Sequence, residues 1–550
     1  MPLKLTIEDS REIDAEAGAP LLDVLKGLGM NRNRTVLAAF VNNRMFELTR
    51  KVESDAKVRF VEIDSLDGIR IYQRSASFLL IKAVGDIDPD AKINILHPIA
   101  NGLYIEIKGR DSIDEEFMKK LEKRMWEIVN ADLPFVREEV PLDKAIKIFN
   151  DAGKEDKARL MSFRNVTHAS IYTLDGMINY FYGYLAPSTG YVRKFSITRY
   201  DKGLILHLPS ISHPHKIITG RKSKKFYKVF QETLKWRKIL EVEDVGMLNN
   251  VIRDKRYQEF VHIAEAFQEK KLGQIADTIA AKKGIKVILL SGPSASGKTT
   301  FTKRLAIQLR INGLKPFQIS MDDYFLDRDK TPKNAKGDHD FESPHAIDID
   351  MMQANLRQII DGKPVALPKY DFKTGKNAMS GKVFTPQEGS VVLVEGIHGL
   401  NPLFSSQLPK GSVFKIYVSP LTEVPLDSHN RIPTTDTRLL RRMIRDFQFR
   451  NYSATETIAR WPSVREGESH HVFPYQEEAD VFFNTALIYE FATLKTVAEP
   501  LLKAVTPDSK SYGEAVRLLK FLSYFLPIPV EAVPRHSLLR EFLGGSSFEY

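Results

Sequence analysis

The chain has 550 residues, 43% hydrophobic and 27% charged, a globular composition that excludes a largely disordered or fibrous protein and, at this length, implies several domains. Lys and Arg number 80 against 70 Asp and Glu, for a net charge of +10, which suits phosphate-bearing partners without requiring them. Cysteine is absent. Disulfides, thiolate zinc sites, iron–sulfur clusters and cysteine nucleophiles are therefore excluded together, and a reducing compartment is favoured.

The opening MPLKLTIEDS is charged and lacks the apolar core of a secretory leader. No window approaches the roughly 18 apolar residues of a membrane span. The expectation is a soluble, cytoplasmic protein with no membrane partner. Residues 1–65 read as a small α/β unit, with strands at 3–7 and 58–63, a helix over 20–29 and two strands around the Asn42-Asn43 turn. Residues 66–213 read as an α+β region whose clearest element is a helix over 114–132, with acids in its first turn and apolar residues at helical spacing. Residues 214–283 read as a helical connector. From 284 to 504 the apolar runs VILLS, FQIS, VVLVE, FKIYVS and DVFFNTA alternate with helical segments. That pattern predicts an α/β domain built on a buried parallel sheet with helices on both faces. Residues 505–550, punctuated by prolines, read as a C-terminal cap.

The strongest motif is GPSASGKTT, residues 292–300, between the strand VILLS and a helix. It matches G-x-x-x-x-G-K-[ST] in the context a phosphate loop requires. Gly292 and Gly297 let backbone N–H groups of Pro293-Ser294-Ala295-Ser296 and their neighbours curl around phosphate oxygens. Lys298 supplies charge for the β and γ phosphates, Thr299 can ligate Mg²⁺, and Thr300 continues the helix whose N-terminus favours anions. The site is expected to bind ATP.

The next strand ends in SMDDYF, residues 320–325, placing an acid at the sheet edge where ligands bind in open α/β folds. An Asp there can deprotonate an acceptor hydroxyl; it also serves equally well as a helix cap. A third strand ends at Glu395, where an acid can hold Mg²⁺. A predicted helix then carries Arg438, Arg441, Arg442 and Arg445, with Arg450 just after it. Such arginines can close over a triphosphate, or simply form a solvated face.

These residues resemble the uridine kinase and phosphoribulokinase family of P-loop phosphotransferases, over about 285–490. MDDYF resembles its acid–hydroxyl–aromatic motif, which implies Asp322 as base and Phe325 at the acceptor. DFESPHAID (340–348) and KYDFKTG (369–375) resemble the segments that hold the sugar and the base, which implies acceptor roles for Glu342, Tyr370 and Phe372. DTRLLRRMIRD implies that Arg442 and Arg445 are lid arginines and Arg450 fits a further one, Arg442 on the acceptor side and Arg445 and Arg450 with Lys298 at the transferring group. Two departures stand out. Glu342 is one methylene longer than the family's Asp, and Gly375 replaces the histidine of the pyrimidine enzymes, removing a hydrogen bond worth about 1–3 kcal/mol of selectivity.

Residues 1–63 resemble the TGS domain, a β-grasp module of threonyl-tRNA synthetases and some GTPases. Onward to about 200 the chain resembles the synthetase's second additional (editing) domain. The four positions of its His-x-x-x-His and Cys-x-x-x-His pairs fall on Arg74, Phe78, Phe181 and Leu185, none a metal ligand or base. The resemblance therefore implies a scaffold, a regulatory surface or an RNA contact in place of editing.

The pairs His213/His215 and His470/His471 lack the i, i+4 spacing of a helical metal site and read as loop residues. Between Lys216 and Lys238 stand nine basic residues and one acid, Glu232, among Phe226, Tyr227, Phe230 and Trp236. The stretch reads as an amphipathic helix burying its aromatics, with phosphate-backbone binding the other reading. The whole predicts an ATP- and Mg²⁺-dependent kinase acting on the 5′-hydroxyl of a nucleoside. Two rivals stay open: a kinase of another small hydroxylated acceptor such as a sugar phosphate, and a nucleotide-gated RNA- or ribosome-binding regulator. A homo-oligomer is also left open.

Overall fold

The structure, a computed structural model, describes residues 2–8, 11–30, 34–110, 112–220, 223–333 and 337–549. At the N-terminus five strands form one mixed sheet, in the order Glu12–Ala15, Leu3–Ile7, Ala56–Glu62, Val36–Val41, Arg44–Glu47. Leu3–Ile7 runs parallel to Ala56–Glu62 and the other pairs are antiparallel. Helix Leu21–Gly27 buries Leu21, Val24 and Leu25 against the sheet core, giving the expected β-grasp arrangement. Asn42 and Asn43 both take positive φ, 48° and 61°, as a two-residue hairpin demands. The edge strand Glu12–Ala15 is an addition; its EIDA sequence is too short and acidic to read as a strand.

The α+β region that follows contains a four-stranded antiparallel sheet, in the order Ser196–Tyr200, Gly203–His207, Gly102–Lys108, Lys92–Ile99, and a three-stranded one. Helix Glu115–Asn130 starts at Asp114, whose carboxylate accepts the Phe117 N–H at 2.7 Å. Helix Leu66–Ile87 is buried over most of its circumference, so its sequence carries no clear polar face. Phe78 and Phe181 pack ring to ring at 5.3 Å, and Leu185 lies in the same core.

The fourth sheet is wholly parallel, in the order Lys315–Ser320, Ser390–Glu395, Val287–Ser291, Val413–Ser419, Val481–Asn484. Its strands alternate between two cores. Ile288, Leu290, Leu393 and Ile416 face a cluster covered by helices Tyr257–Ala281 and Lys298–Ile311, whereas Val287, Leu289, Val392 and Val394 face one covered by helix Ile349–Ile360. Burial on both faces is why these runs are continuously apolar. Ser291, Ser320 and Glu395 end neighbouring strands, so the phosphate loop and both acidic turns share one edge.

Packing gives the two segments expected to be peripheral a larger part. From the connector, Leu272, Ile275, Ala276 and Ile279 enter the core of the parallel sheet. From the C-terminal segment, helix Tyr512–Leu522 joins a cluster shared with the N-terminal half and with helix Thr434–Arg450, while Leu538 and Phe542 pack beneath the phosphate loop. The aromatics of the basic stretch turn inward on helix Lys224–Ile239: Phe230 lies flat on His97 at 3.7 Å, and Trp236 stacks on Phe267. Arg221 and Lys222 of that stretch lie outside the described residues. His470 and His471 differ from expectation; they close helix Ala454–His471 rather than sit in a loop. Among the described residues no helix is long and apolar enough to cross a membrane.

Candidate phosphate and acceptor site

The strand Val287–Ser291 delivers the chain into the loop, and the helix begins at Lys298. Ala295 and Gly297 adopt φ of 58° and 83°, the left-handed turns that bring successive N–H groups to one side and build an anion nest. At Gly292 a Cβ would lie 2.1 Å from the Val418 carbonyl oxygen, so no other residue fits. Four of the loop carbonyls are held by side chains. Lys298 Nζ donates to those of Gly292 and Pro293 at 2.9 and 3.1 Å, Arg438 Nε to Ser294 at 2.9 Å, and Thr485 Oγ1 to Ser296 at 2.6 Å. Fully buried Arg441 braces Thr485 and Glu490 behind them. Ser296 Oγ is buried without a partner among the described residues, an orphan that a phosphate oxygen would satisfy.

Thr299 Oγ1 lies 3.2 Å from Glu395 Oε1, and the other oxygen, Glu395 Oε2, is buried and unpartnered. Burial pushes Glu395 up to about 7 despite Lys298 nearby. A hydroxyl beside a carboxylate with a spare buried oxygen is a donor set that fits Mg²⁺. Burial lowers the Lys298 ammonium and raises Asp322, which Lys298 and Arg450 pull the other way. Asp322 opens to the cleft and holds no ion pair among the described residues, whereas its neighbour Asp323 is tied to Lys369 at 2.9 Å. The two acids are thus different groups: one committed, one available.

Arg442, Arg445 and Arg450 gather around a single carboxylate. Asp446 lies 3.2 Å from Arg442, 2.8 Å from Arg445 and 3.7 Å from Arg450. Arg442 also donates to the Ser294 hydroxyl at 2.8 Å, which sets it against the phosphate loop as well as toward Glu342. On the side expected to take the acceptor, Phe325 is the centre of an aromatic group, with ring centroids 5.6 Å from Tyr370 and 6.1 Å from Phe372. The Tyr370 hydroxyl is buried without a partner among the described residues. Burial and then Glu468 push Glu342 up to about 7. Over Gly375, where the family histidine is missing, lies Arg328: its N–H donates to the Gly375 carbonyl and its guanidinium to that of Phe372, both at 2.8 Å.

Four residues of the site were not legible as such. Glu468 accepts the Ser294 N–H at 2.7 Å and pairs with Arg438. Asp446 gathers the arginines, and only its place in the RRMIRD run hinted at this. Glu541 accepts both the Thr300 N–H, at 3.0 Å, and the Thr300 hydroxyl, at 2.8 Å. His398, three residues past Glu395, is buried with both ring nitrogens unpartnered among the described residues, and burial holds it down to about 3.

Residues 287–488 match the model of the phosphoribulokinase / uridine kinase family. The N-terminal half is similar to threonine–tRNA ligases; that of Syntrophotalea carbinolica is 30% identical over 178 residues, 32% of this chain and 28% of the ligase. The chain thus spans less than a third of the length of that curated relative. Among solved structures, a "possible uridine kinase" from Bacillus stearothermophilus is 20% identical, covering 39% of this chain and 98% of its own, with a TM-score of 0.27. D-Glycerate 3-kinase from Cryptococcus neoformans is 16% identical, covering 46% and 87%, with a TM-score of 0.23. From residue 287 to 488 the chain is thus similar to the phosphoribulokinase / uridine kinase family, behind a half similar to threonine–tRNA ligases.

Proposed function

We propose that the chain is an ATP- and Mg²⁺-dependent kinase that phosphorylates a hydroxyl of a small acceptor, a nucleoside taken at its ribose 5′-hydroxyl. The observation that carries the reading is Asp322, a carboxyl with no ion partner among the described residues, at the phosphate-loop edge of the sheet and facing Lys298 and Arg450. A binding switch has no need of such an acid. In this reading residues 284–504 carry the chemistry, with 1–65 and 66–213 as accessory units, 214–283 joining them and 505–550 closing the fold.

The acceptor hydroxyl passes its proton to Asp322 as its oxygen attacks the γ-phosphorus; the bond to the β,γ-bridging oxygen breaks and ADP leaves. A carboxyl shifted upward from its ordinary range suits this step. Gly292–Thr300 cradle the phosphates, and Lys298, Arg445 and Arg450 offset the charge that gathers on the transferring group. Thr299 and Glu395 are the residues that would hold Mg²⁺, which would supply charge neutralisation for the triphosphate. Glu342, Arg442, Phe325, Tyr370 and Phe372 shape the acceptor side.

One observation favours a second reading. The Arg328 guanidinium over the Gly375 turn offers positive charge where a nucleoside base is neutral, which suits a sugar phosphate. The similarity of the N-terminal half to threonine–tRNA ligases keeps an RNA-binding regulator as the third. Transfer from labelled ATP to a panel of ribonucleosides, deoxyribonucleosides and sugar phosphates separates them. A nucleoside 5′-monophosphate is the expected product. Transfer to sugar phosphates alone would replace the acceptor, and RNA-stimulated ATP hydrolysis with no small-molecule product would replace the kinase.

The acid near 7 at Glu395 sets a pH dependence. Below pH 7 the carboxyl is mostly protonated and poor at holding a cation, so apparent Mg²⁺ affinity is expected to rise from pH 6 to pH 8. Mg²⁺ titrations of transfer at fixed ATP should lose that rise in Glu395→Gln and keep it in Glu342→Gln.

Glu541 offers a separate test, because its carboxylate sits on N–H and hydroxyl donors that a phosphate loop presents to nucleotide. Glu541→Gln is expected to bind ATP several-fold more tightly. Without ATP it should unfold about 0.5–1 kcal/mol more easily, since the charge no longer complements the helix N-terminus. Weaker ATP binding in a titration would contradict this.

A further inference from the structure

On the far side of the lid helix, the N-terminal half and helix Tyr512–Leu522 enclose a cavity of about 740 Å³, a size that holds small ligands. Its lining is strongly basic. Arg74, Arg137, Arg164 and Lys520 all contribute to it, and of these four only Arg137 has a carboxylate partner among the described residues, Glu139 at 2.6 Å. Among the described residues Arg74, Arg164 and Lys520 form no ion pair. Arg74 donates Nε to the Tyr184 carbonyl at 2.9 Å, and Arg164 Nε is buried with no partner. Burial, then the three neighbouring guanidinia, hold Lys520 down to about 7. Two acids face this group, Glu47, already engaged by the Tyr172 hydroxyl, and Glu139, paired with Arg137, while Glu53 and Asp67 line the rest of the cavity. Like charges crowded around a cavity repel one another, and a bound anion offsets the repulsion. Arginines in such numbers match the oxygens of phosphate groups. Tyr182 and Tyr184 supply ring faces, beneath Arg74 at 5.8 Å and Arg137 at 5.6 Å.

We propose that this cavity is a second ligand site, taking a small phosphorylated molecule of the nucleotide class. Its wall also reaches the phosphate-loop domain. Arg517 bonds both oxygens of Asp436, at 2.7 and 2.9 Å, and shares Glu514 with Arg70. Asp436 lies in the first turn of helix Thr434–Arg450, which carries Arg438, Arg442 and Arg445. Ligand in the cavity therefore bears, through two ion-paired arginines, on the helix that orders the lid. That consequence rests on the kinase reading; binding does not.

The test is a calorimetric titration of the full-length chain carrying Lys298→Ala, which disables the phosphate loop, with ATP and inorganic tripolyphosphate as probes. One saturable ATP site per chain is expected to remain. Adding Arg74→Ala or Lys520→Met should weaken it about tenfold or more, and adding Lys520→Arg should leave it within about threefold. Removing one of four crowded cations relieves repulsion, so Lys520→Met should melt no lower than its parent, and its loss of binding then reports on the site. No saturable binding to the Lys298→Ala chain, or binding indifferent to Arg74 and Lys520, would overturn the site. Tripolyphosphate binding as tightly as ATP would overturn the nucleotide class, and a short RNA that displaces ATP at hundredfold lower concentration would overturn the small ligand.

Discussion

Asp322→Asn is expected to lower turnover about 10²- to 10⁴-fold, the range over which a positioned base contributes, with ATP binding unchanged or slightly tighter. The asymmetry follows from charge. Asp322 faces Lys298 and Arg450, so removing its charge frees those cations for the triphosphate while leaving the acceptor proton without a destination. Asp323 cannot take over, because Lys369 holds it at 2.9 Å. Asp323→Asn should accordingly cost much less. The measurement is single-turnover transfer beside ATP titration for both variants. A variant at position 322 that retained a tenth of the wild-type rate would remove Asp322 from the chemistry, and with it the observation on which the kinase reading stands.

Lys157→Met is expected to destabilise the fold by about 3–5 kcal/mol, the cost of leaving a buried charge unpaired. Lys157, on helix Glu155–Ser162, meets Asp427 at 2.8 Å with both side chains fully buried. Asp427 also accepts from the His429 N–H, at 2.8 Å, and from the Asn430 N–H and side-chain amide, at 3.1 and 2.8 Å. The pair joins the N-terminal half to the loop that precedes helix Thr434–Arg450, so its loss should loosen the two halves together. Denaturant unfolding monitored by fluorescence gives the magnitude. The double variant Lys157→Met with Asp427→Asn should recover much of the loss, because the uncompensated charge is gone. If the double variant were as unstable as the single one, packing rather than charge would be what holds this junction.

The phosphate loop was legible because everything that makes it is local. A buried strand, two glycines, a Lys-Thr pair and a helix start lie within 14 consecutive residues, 287–300. The acids at 322 and 395 were legible for a related reason: a polar residue that ends an apolar run must sit at the rim of the sheet. The aromatic group around Phe325 was legible only through the family resemblance, since Tyr370 and Phe372 are more than 40 residues away along the chain. Glu468 and Glu541 gave no signal at all. They reach Ser294 and Thr300 across 174 and 241 residues, and an exposed glutamate on a helix has the same local pattern as one that folds under a loop.

The same division runs through the whole molecule. Strand and helix identity, the parallel sheet and the chemistry of the loop follow from periodicity and from residues a few positions apart, where backbone geometry leaves few choices. What the acids and arginines do follows from packing between distant segments. Glu468 became a brace of the phosphate loop because helix Ala454–His471 brings it to the Ser294 N–H and to Arg438. Arg74 and Lys520, ordinary surface residues by composition, became neighbours because helix Tyr512–Leu522 lies across the N-terminal half. Charge is written in the sequence, but the field it makes depends on distance and burial, and both are set when the chain closes on itself.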